Sequence, residues 1–401
     1  MIIGIDLGGM SAKGAILQDG KLLGKTRVKT SADRSAEETA LELVRLAMDT
    51  AENAGVDFSK INAIGIGSPG VIDSKNGTVV NWTNFGWKDV PLAQIIRERT
   101  GKQVFVTNDA NAAALGEAKY GAGKNYSDSI LITLGTGVGG GIILGGKLFE
   151  GYRSAGAEIG HMVIRQNGRI CSCGRRGCFE VYASARALLE MTRDAMQAEL
   201  TSKMWEYAKT LDEVDGKTVF DALRAGDETA EKVLHEYVAN LGEGILNLAA
   251  VFRPQAFILG GGISAEKETL LKPLRDYVYP RLYVSENYAP LEICCAELGN
   301  DAGLYGAAQY ATVLMGTFCL SACAGTGSWQ GFQKRYFFHT TADLKLFSGA
   351  EGLPSKEEAV RTAEEAEALL KDLEQSLSVT EEGSYVYAFN EAEAGETVEL
   401  D

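Results

Sequence analysis

Two glycine-rich turns, each joining the first two strands of a β-meander, constrain this chain more than any other feature of its sequence. The first follows IIGIDL and passes through Gly8 and Gly9 into AKGAILQ and KLLGKTRVKT; Asp19-Gly20 between the last two is a hairpin turn of the kind that demands positive φ. The second begins at Gly135 and runs through Thr136, Gly137 and Gly139 between strands over Ser129–Leu134 and Gly140–Leu144, with Lys147–Phe149 as the third strand. Helical periodicity follows each meander. A meander-then-helix plan used twice predicts an α/β protein of two similar lobes around a cleft.

The remaining elements fit that plan. A helix is expected over Ser35–Ala54, where Ala40, Leu43, Ala47 and Met48 repeat at helical spacing. Strand Ala63–Gly67, helix Leu92–Arg99, strand Val104–Thr107 and helix Ala110–Tyr120 then alternate, as parallel strands with crossover helices do. The second half adds helical stretches over Ala183–Tyr207, Val219–Ala225 and Thr229–Phe252, strand Ala256–Leu259, the glycines 260–262 and a last helix over Asp301–Leu314. The expected division is a first lobe over 1–120, a second over 121–315 and an added segment over 316–401. In that segment Ser355 and Glu358 form a capping box for a helix over Lys356–Leu377. A short strand follows at Ser384–Phe389, and the acidic end reads as frayed.

Charge narrows the function. The formal net charge is −15, of which residues 316–401, with 16 acidic and 6 basic side chains, carry −10. Nucleic acid is therefore not an expected partner, since binding its phosphates needs a basic face. No basic and apolar leader and no run of about 18 apolar residues is present, so no membrane association and a cytoplasmic location are expected. Seven cysteines, three of them at positions 171, 173 and 178, suit a metal site better than a disulfide framework.

The chemistry should sit at the turns. Gly8 and Gly9 can bring backbone N–H groups against phosphate oxygens while Asp6, at the strand end, can hold Mg²⁺ through water. Gly135, Thr136 and Gly137 offer a second such surface, and Gly260, Gly261 and Gly262 could face an adenosine. Either turn alone also fits an ordinary glycine-rich hairpin; the pair favours a phosphate clamp. Neither GxxxxGK[ST] nor a strand–helix GxGxxG is present, so neither a Walker nor a Rossmann site is indicated. Asn108-Asp109 lies where a strand meets a helix. Asp109 there can act as a general base for an attacking hydroxyl, and the pair can equally serve as a helix cap. His161, Cys171, Cys173 and Cys178 meet the needs of a structural Cys₃His Zn²⁺ site. That site would fix Glu158 and Glu180 as carboxylates facing sugar hydroxyls, and His161 can serve both the metal and a sugar oxygen. His235 and His339 have no comparable neighbours.

These segments resemble a known family. DLGG at 6–9, GIGSPGVID at 65–73, NFGW at 84–87, TNDANAAALGE at 107–117, LGTGVGGG at 134–141, GAEIGH at 156–161, CSCGRRGCFE at 171–180, LGGGIS at 259–264 and GNDAGLYGAA at 299–308 resemble, in order, the ROK sugar kinases, the glucokinase branch above all. The resemblance implies an actin-like ATPase (ribonuclease H-like) fold and ATP with Mg²⁺ as the phosphoryl donor. It implies Asp109 as base, Asn84, Asn108, Glu158, His161 and Glu180 around a hexose, Ser11 among the nucleotide contacts, and zinc on His161 and the three cysteines. A homodimer or homotetramer is implied as well. The chain departs from the family at Met10, where a threonine is usual, and from Gly316 onward.

Glucose phosphorylated to glucose 6-phosphate is the expected reaction, with N-acetylmannosamine or another hexose as the alternative substrate. A non-catalytic sugar sensor is a further alternative. A transcriptional regulator would need a helix-turn-helix ahead of Asp6, and an actin-like scaffold or chaperone would leave the Asn-Asp, Glu-His and cysteine motifs without a role.

Overall fold

The structure, a computed structural model, describes residues 1–326, 377–379, 385–388 and 397–400. The chain divides into two compact units, Met1–Met315 and Gly316–Asp401.

The first unit opens with β1 (Ile2–Leu7), β2 (Ser11–Gln18), β3 (Lys21–Lys29), α1 (Ala36–Asn53) and β4 (Ala63–Ser68). Ser35 caps α1, its side chain accepting from the Glu38 N–H while the Glu38 carboxylate accepts from the Ser35 N–H. A small antiparallel sheet follows, of β5 (Val71–Asp73), β6 (Thr78–Trp82) and β7 (Trp87–Val90), then α2 (Leu92–Thr100), β8 (Gln103–Asn108) and α3 (Asp109–Tyr120). In the main sheet the order is β3-β2-β1-β4-β8. β1, β2 and β3 are antiparallel, and β4 and β8 run parallel to β1. Every residue of β4, AIGIGS, is buried, as befits a parallel strand covered on both faces.

The second half repeats this topology. β9 (Ser129–Leu134), β10 (Val138–Leu144) and β11 (Lys147–Phe149) form the meander. Helices α4 (Glu180–Ala183), α5 (Ala185–Ala198), α6 (Met204–Tyr207), α7 (Thr218–Arg224) and α8 (Glu228–Phe252) come next. They are followed by β12 (Ala256–Gly260), α9 (Glu268–Val278), β13 (Glu292–Cys295) and α10 (Ala302–Thr326). The sheet order is β11-β10-β9-β12-β13, with β12 and β13 parallel to β9. Each sheet has its own buried cluster. A small third cluster, with Leu115, Leu131, Ile258 and Tyr310, joins α3 and α10 to the second sheet.

Two helices tie the halves together. α3 packs against β4 and β8 on one side and β9 and β10 on the other. α10 follows the second sheet in sequence yet lies on the first: a Cβ added at Gly65 of β4 would stand 1.8 Å from the Ala307 carbonyl oxygen. It also crosses α3 closely, because a Cβ at Gly306 would stand 1.5 Å from the Ala112 carbonyl oxygen. Only glycine permits backbones to approach this near. The fully buried Glu117 of α3 accepts from the N–H groups of Ala122, Glu297 and Leu298, at 2.9, 3.1 and 2.8 Å, and so anchors the loop before α10.

Four expectations differ from what is found. The helical stretch over Ala183–Tyr207 is three helices, because Ser184 takes extended backbone to cap α5 and Glu199 leaves helical angles at its end. The last helix continues past Leu314 to Thr326. The acidic end is not frayed throughout, since a strand at Thr397–Leu400 pairs with one at Tyr385–Ala388, which pairs in turn with Leu377–Val379. The small β5–β7 sheet was not foreseen. The helix expected over Lys356–Leu377 lies outside the described residues except for Leu377, which begins a strand, and His339 lies outside them too.

Candidate active site

The C-terminal end of β8 delivers two adjacent polar side chains to the start of α3. Asn108 is the N-cap: its Oδ1 accepts from the N–H groups of Ala110 and Asn111 at 2.9 and 3.2 Å, and its Nδ2 donates to the Gly70 carbonyl at 3.2 Å. The capping role raised by the sequence is therefore real. Asp109 follows as the first helical residue, half-buried at the cleft surface but deep in the protein mass. Burial pushes its carboxyl pKa up to about 6 against the opposing hydrogen bond from the Ala110 N–H, and the carboxylates of Asp6 and Glu158 push the same way.

Two cavities meet at this residue. The smaller, of about 190 Å³, is lined by Asn108, Asp109, Asn111, Ser154 and Glu158 among others. The larger, of about 450 Å³, is lined by Asp6, Lys13, Gly135, Thr136, Gly137, Glu180, Gly261 and Asn300 among others. Asp109, Ala110, Val138 and Gly139 line both. Asp109 thus stands where a group in one cavity would face a group in the other.

The walls of the smaller cavity are strained and under-satisfied. Arg153, Ser154 and Ala157 all have positive φ, +53, +56 and +63°, in the loop that presents Glu158. Such backbone persists only where its surroundings hold it, and it concentrates at functional sites. Asn111 is 4% exposed and its Oδ1 has no hydrogen-bond partner, which leaves a buried carboxamide oxygen without an acceptor role at the cavity wall.

Beside the larger cavity lies the cysteine loop. One ligand atom from each of His161, Cys171, Cys173 and Cys178 lies within 4.8 Å of all the others. Cys173 and Cys178 Sγ are 3.6 Å apart, as are Cys171 Sγ and His161 Nδ1. Tetrahedral zinc with thiolates at ~2.3 Å puts sulfurs ~3.8 Å from one another, so the donor set and spacing fit that ion. Glu180 joins this cluster to the second glycine turn. Its Oε1 accepts from the Cys171 thiol at 3.0 Å, and a Cβ at Gly137 would lie 2.6 Å from its Oε2. Burial, with Glu180 as acceptor, pushes the Cys171 thiol up to about 12.

The structure brings together Asp6, Asp109, Gly135, Thr136, Gly137, Gly261 and Glu180 at the larger cavity and Asn108, Asp109 and Glu158 at the smaller. Gly8, Gly9 and Ser11 form the first turn, closed by the Gly8 N–H donating to the Ser11 carbonyl, but do not line the larger cavity. Gly260 is buried at the end of β12 and Gly262 is exposed beyond it, so of the three glycines only Gly261 lines. His161 turns Nδ1 to the cysteines and lines neither cavity. Asn84 is exposed on the short turn Thr83–Phe85 and also lines neither. The NFGW segment that suggested it is held in the first core by Phe85 stacked on Trp82 at 3.8 Å and by Trp87 edge-on. Sequence reasoning missed Lys13, Asn111, Ser154 and Asn300. Lys13 was within reach: two antiparallel strands leaving the tight first turn set it directly opposite Asp6.

Two meander-led sheets of identical strand order around a cleft define an actin-like α/β protein. The chain belongs to the ROK family, whose profile matches residues 2–313. A glucokinase of Thermotoga maritima is 37% identical over 311 residues, covering 77% of this chain and 96% of its own. A glucokinase of Streptomyces coelicolor is 39% identical over 318 residues, covering 78% and 97%. Among solved structures, a ROK family glucokinase from Streptomyces griseus in complex with glucose and AMPPNP aligns with a TM-score of 0.66 and 37% identity, over 77% of this chain and 98% of that one.

Proposed function

We propose that the protein is an ATP-dependent sugar kinase that moves the γ-phosphoryl of ATP to a hydroxyl of glucose, giving glucose 6-phosphate. The observation that carries this is the position of Asp109, shared by a small polar cavity and a larger one walled by the second glycine turn and Gly261. The glucokinase relatives, and the glucose and AMPPNP of the Streptomyces griseus structure, support the substrate pair.

In this reading the hexose occupies the smaller cavity, with Asn108, Asn111 and Glu158 as hydroxyl partners. The unpartnered Asn111 Oδ1 and the single carboxylate of Glu158 suit a ligand rich in O–H donors. The triphosphate lies along Gly135–Gly137 in the larger cavity, with Asp6 as the oxygen donor for Mg²⁺, which would neutralise charge on the phosphates. Asp109 takes the proton of the attacking hydroxyl. With its carboxyl pKa at about 6, it is ionised at neutral pH yet basic enough to accept that proton. His161 and the three cysteines would hold a structural zinc ion, which fixes the loop bearing Glu180. Among the described residues no helix is long and apolar enough to cross a membrane. The reading extends to a cytoplasmic enzyme that works as a homodimer or homotetramer.

The test is ADP release with MgATP across glucose, mannose, fructose, allose, N-acetylglucosamine and N-acetylmannosamine. Turnover highest with glucose is expected. Preference for an N-acetylhexosamine would move the substrate within the class, and sugar binding with no turnover on any of them would overturn the enzyme in favour of a sensor.

A further inference from the structure

The proposed mechanism leaves the cationic side chain of the larger cavity unused. Its lining carries three carboxylates, Asp6, Asp109 and Glu180, and among the described residues a single cation, Lys13. A cavity so acidic repels a polyphosphate unless positive charge is placed where the phosphates end. The side chain of exposed Met10 in the first turn supplies no donor for them.

Lys13 is placed by the fold rather than by chance on the surface. It sits in β2 directly across from Asp6 in β1, in a register set by the tight first turn. Its Nζ lies 3.4 Å from Asp6 Oδ2 and 3.2 Å from the Asn300 carbonyl oxygen, and both members of the ion pair are about three-quarters buried. Two of its three N–H donors are thus engaged in the free protein, by a carboxylate of β1 and by a backbone carbonyl just ahead of α10. Gly303 of α10 closes on the same point, since a Cβ there would lie 2.9 Å from Asp6 Cγ.

Resting on the kinase reading above, we propose that Lys13 is a catalytic residue that grips the terminal phosphoryl of ATP, exchanging Asp6 for the nucleotide when MgATP binds. In the free enzyme Lys13 and Asp6 neutralise each other. When MgATP enters, the Asp6 carboxylate turns to the metal and the ammonium turns to the γ-phosphoryl oxygens. The bond from Pγ to the bridging oxygen of ADP then breaks as the bond from Pγ to the sugar oxygen forms. The hydroxyl proton goes to Asp109, and Lys13 keeps its own protons throughout, acting as a fixed charge on the oxygens that gain negative charge. Burial raises the Asp6 pKa, and the Lys13 ammonium opposes that shift.

The experiment compares wild type, Lys13→Met and Lys13→Arg, with nucleotide binding measured by calorimetry and turnover by ADP release. Lys13→Met is expected to lower kcat by about 10²-fold, in line with loss of one preorganised donor, while the glucose KM stays within a few-fold. It should weaken ATP binding at least tenfold more than ADP binding, because ADP lacks the group that Lys13 holds. Lys13→Arg should recover part of both. A Lys13→Met enzyme with kcat within threefold of wild type, or with equal losses for ATP and ADP, overturns the proposal. Should Lys13→Met fail to fold, Lys13→Gln is read by the same ATP-to-ADP ratio. A wild type that binds ATP but phosphorylates no hexose sinks the kinase reading alone, and the binding ratio still decides for or against Lys13.

Discussion

Replacing Asp109 by Asn should make the protein more stable and nearly inactive, and the size of the gain should depend on pH. A carboxyl whose pKa rises from 3.8 to about 6 on folding is held ionised at neutral pH at a cost of about 3 kcal/mol. The sign follows from linkage. The folded protein binds the proton more tightly than the unfolded chain, so the group is harmless below the unfolded value and destabilises progressively as pH climbs through 6. Asn carries no charge, keeps the side-chain oxygen that accepts from the Ala110 N–H, and removes the repulsion from Asp6 and Glu158. The variant should therefore exceed wild type by about 3 kcal/mol above pH 7, by about half of that at pH 5 and by almost nothing below pH 4. Urea unfolding of both proteins at pH 8, 6 and 5 measures this. Turnover at pH 8 should fall by about 10² to 10⁴, the range lost with a general base, and wild-type kcat/KM should drop on the acid side with a midpoint near 6. A stability difference that is the same at pH 5 and pH 8, or turnover that survives the change, would refute the argument that a desolvated carboxylate does the proton transfer.

Three further outcomes follow from the geometry. Metal analysis of protein purified without chelator should find about one zinc per chain, and Cys173→Ser should lose it and raise the glucose KM by about tenfold or more through the loop that carries Glu180; metal-free, fully active protein would exclude the site. Gly306→Ala should destabilise by about 3 kcal/mol or more in thermal unfolding, because its Cβ meets the Ala112 carbonyl, whereas Gly216→Ala, with nothing within 4 Å, should stay within about 0.5 kcal/mol. A chain ending at Met315 should remain folded, with kcat within a few-fold of the full protein, since the family match ends at residue 313 and a compact unit ends at 315; an insoluble or inactive product would give residues 316–401 a role in the core or in assembly.

What the sequence disclosed and what it hid divide along the range of the interactions involved. The two meanders were legible because glycine turns between alternating strands are local signals, and the strand orders then emerge identical in both halves. Asp109 was legible for the same reason, as a carboxylate at a strand–helix junction. The cysteine cluster was legible from spacing alone, and its ligand atoms do converge. The expectation for Asn84 rested on NFGW, a pattern that also serves packing: Trp82, Phe85 and Trp87 fill the first core, and Asn84 is exposed and lines neither cavity. Asn111 was hidden inside an alanine-rich helix whose faces cannot be told apart in the sequence without knowing that sheets lie on both sides of it.

The return of α10 to the first sheet was the deepest omission, and it sets the site as much as the turns do. Nothing periodic in GLYGAA announces a partner nearly 300 residues earlier in the chain, since small residues look like weak helix formers until a backbone lies against them. Yet Gly65 against Ala307, Gly306 against Ala112 and Gly303 against Asp6 fix the start of α10 onto β1, β4 and α3 within one helical stretch. The same stretch brings Asn300 to Lys13, and Glu117 holds the loop just before it. The two halves are therefore joined beside the Asp6–Lys13 pair and beside Asn111, so a loosening of that glycine-lined crossing would reach both cavities.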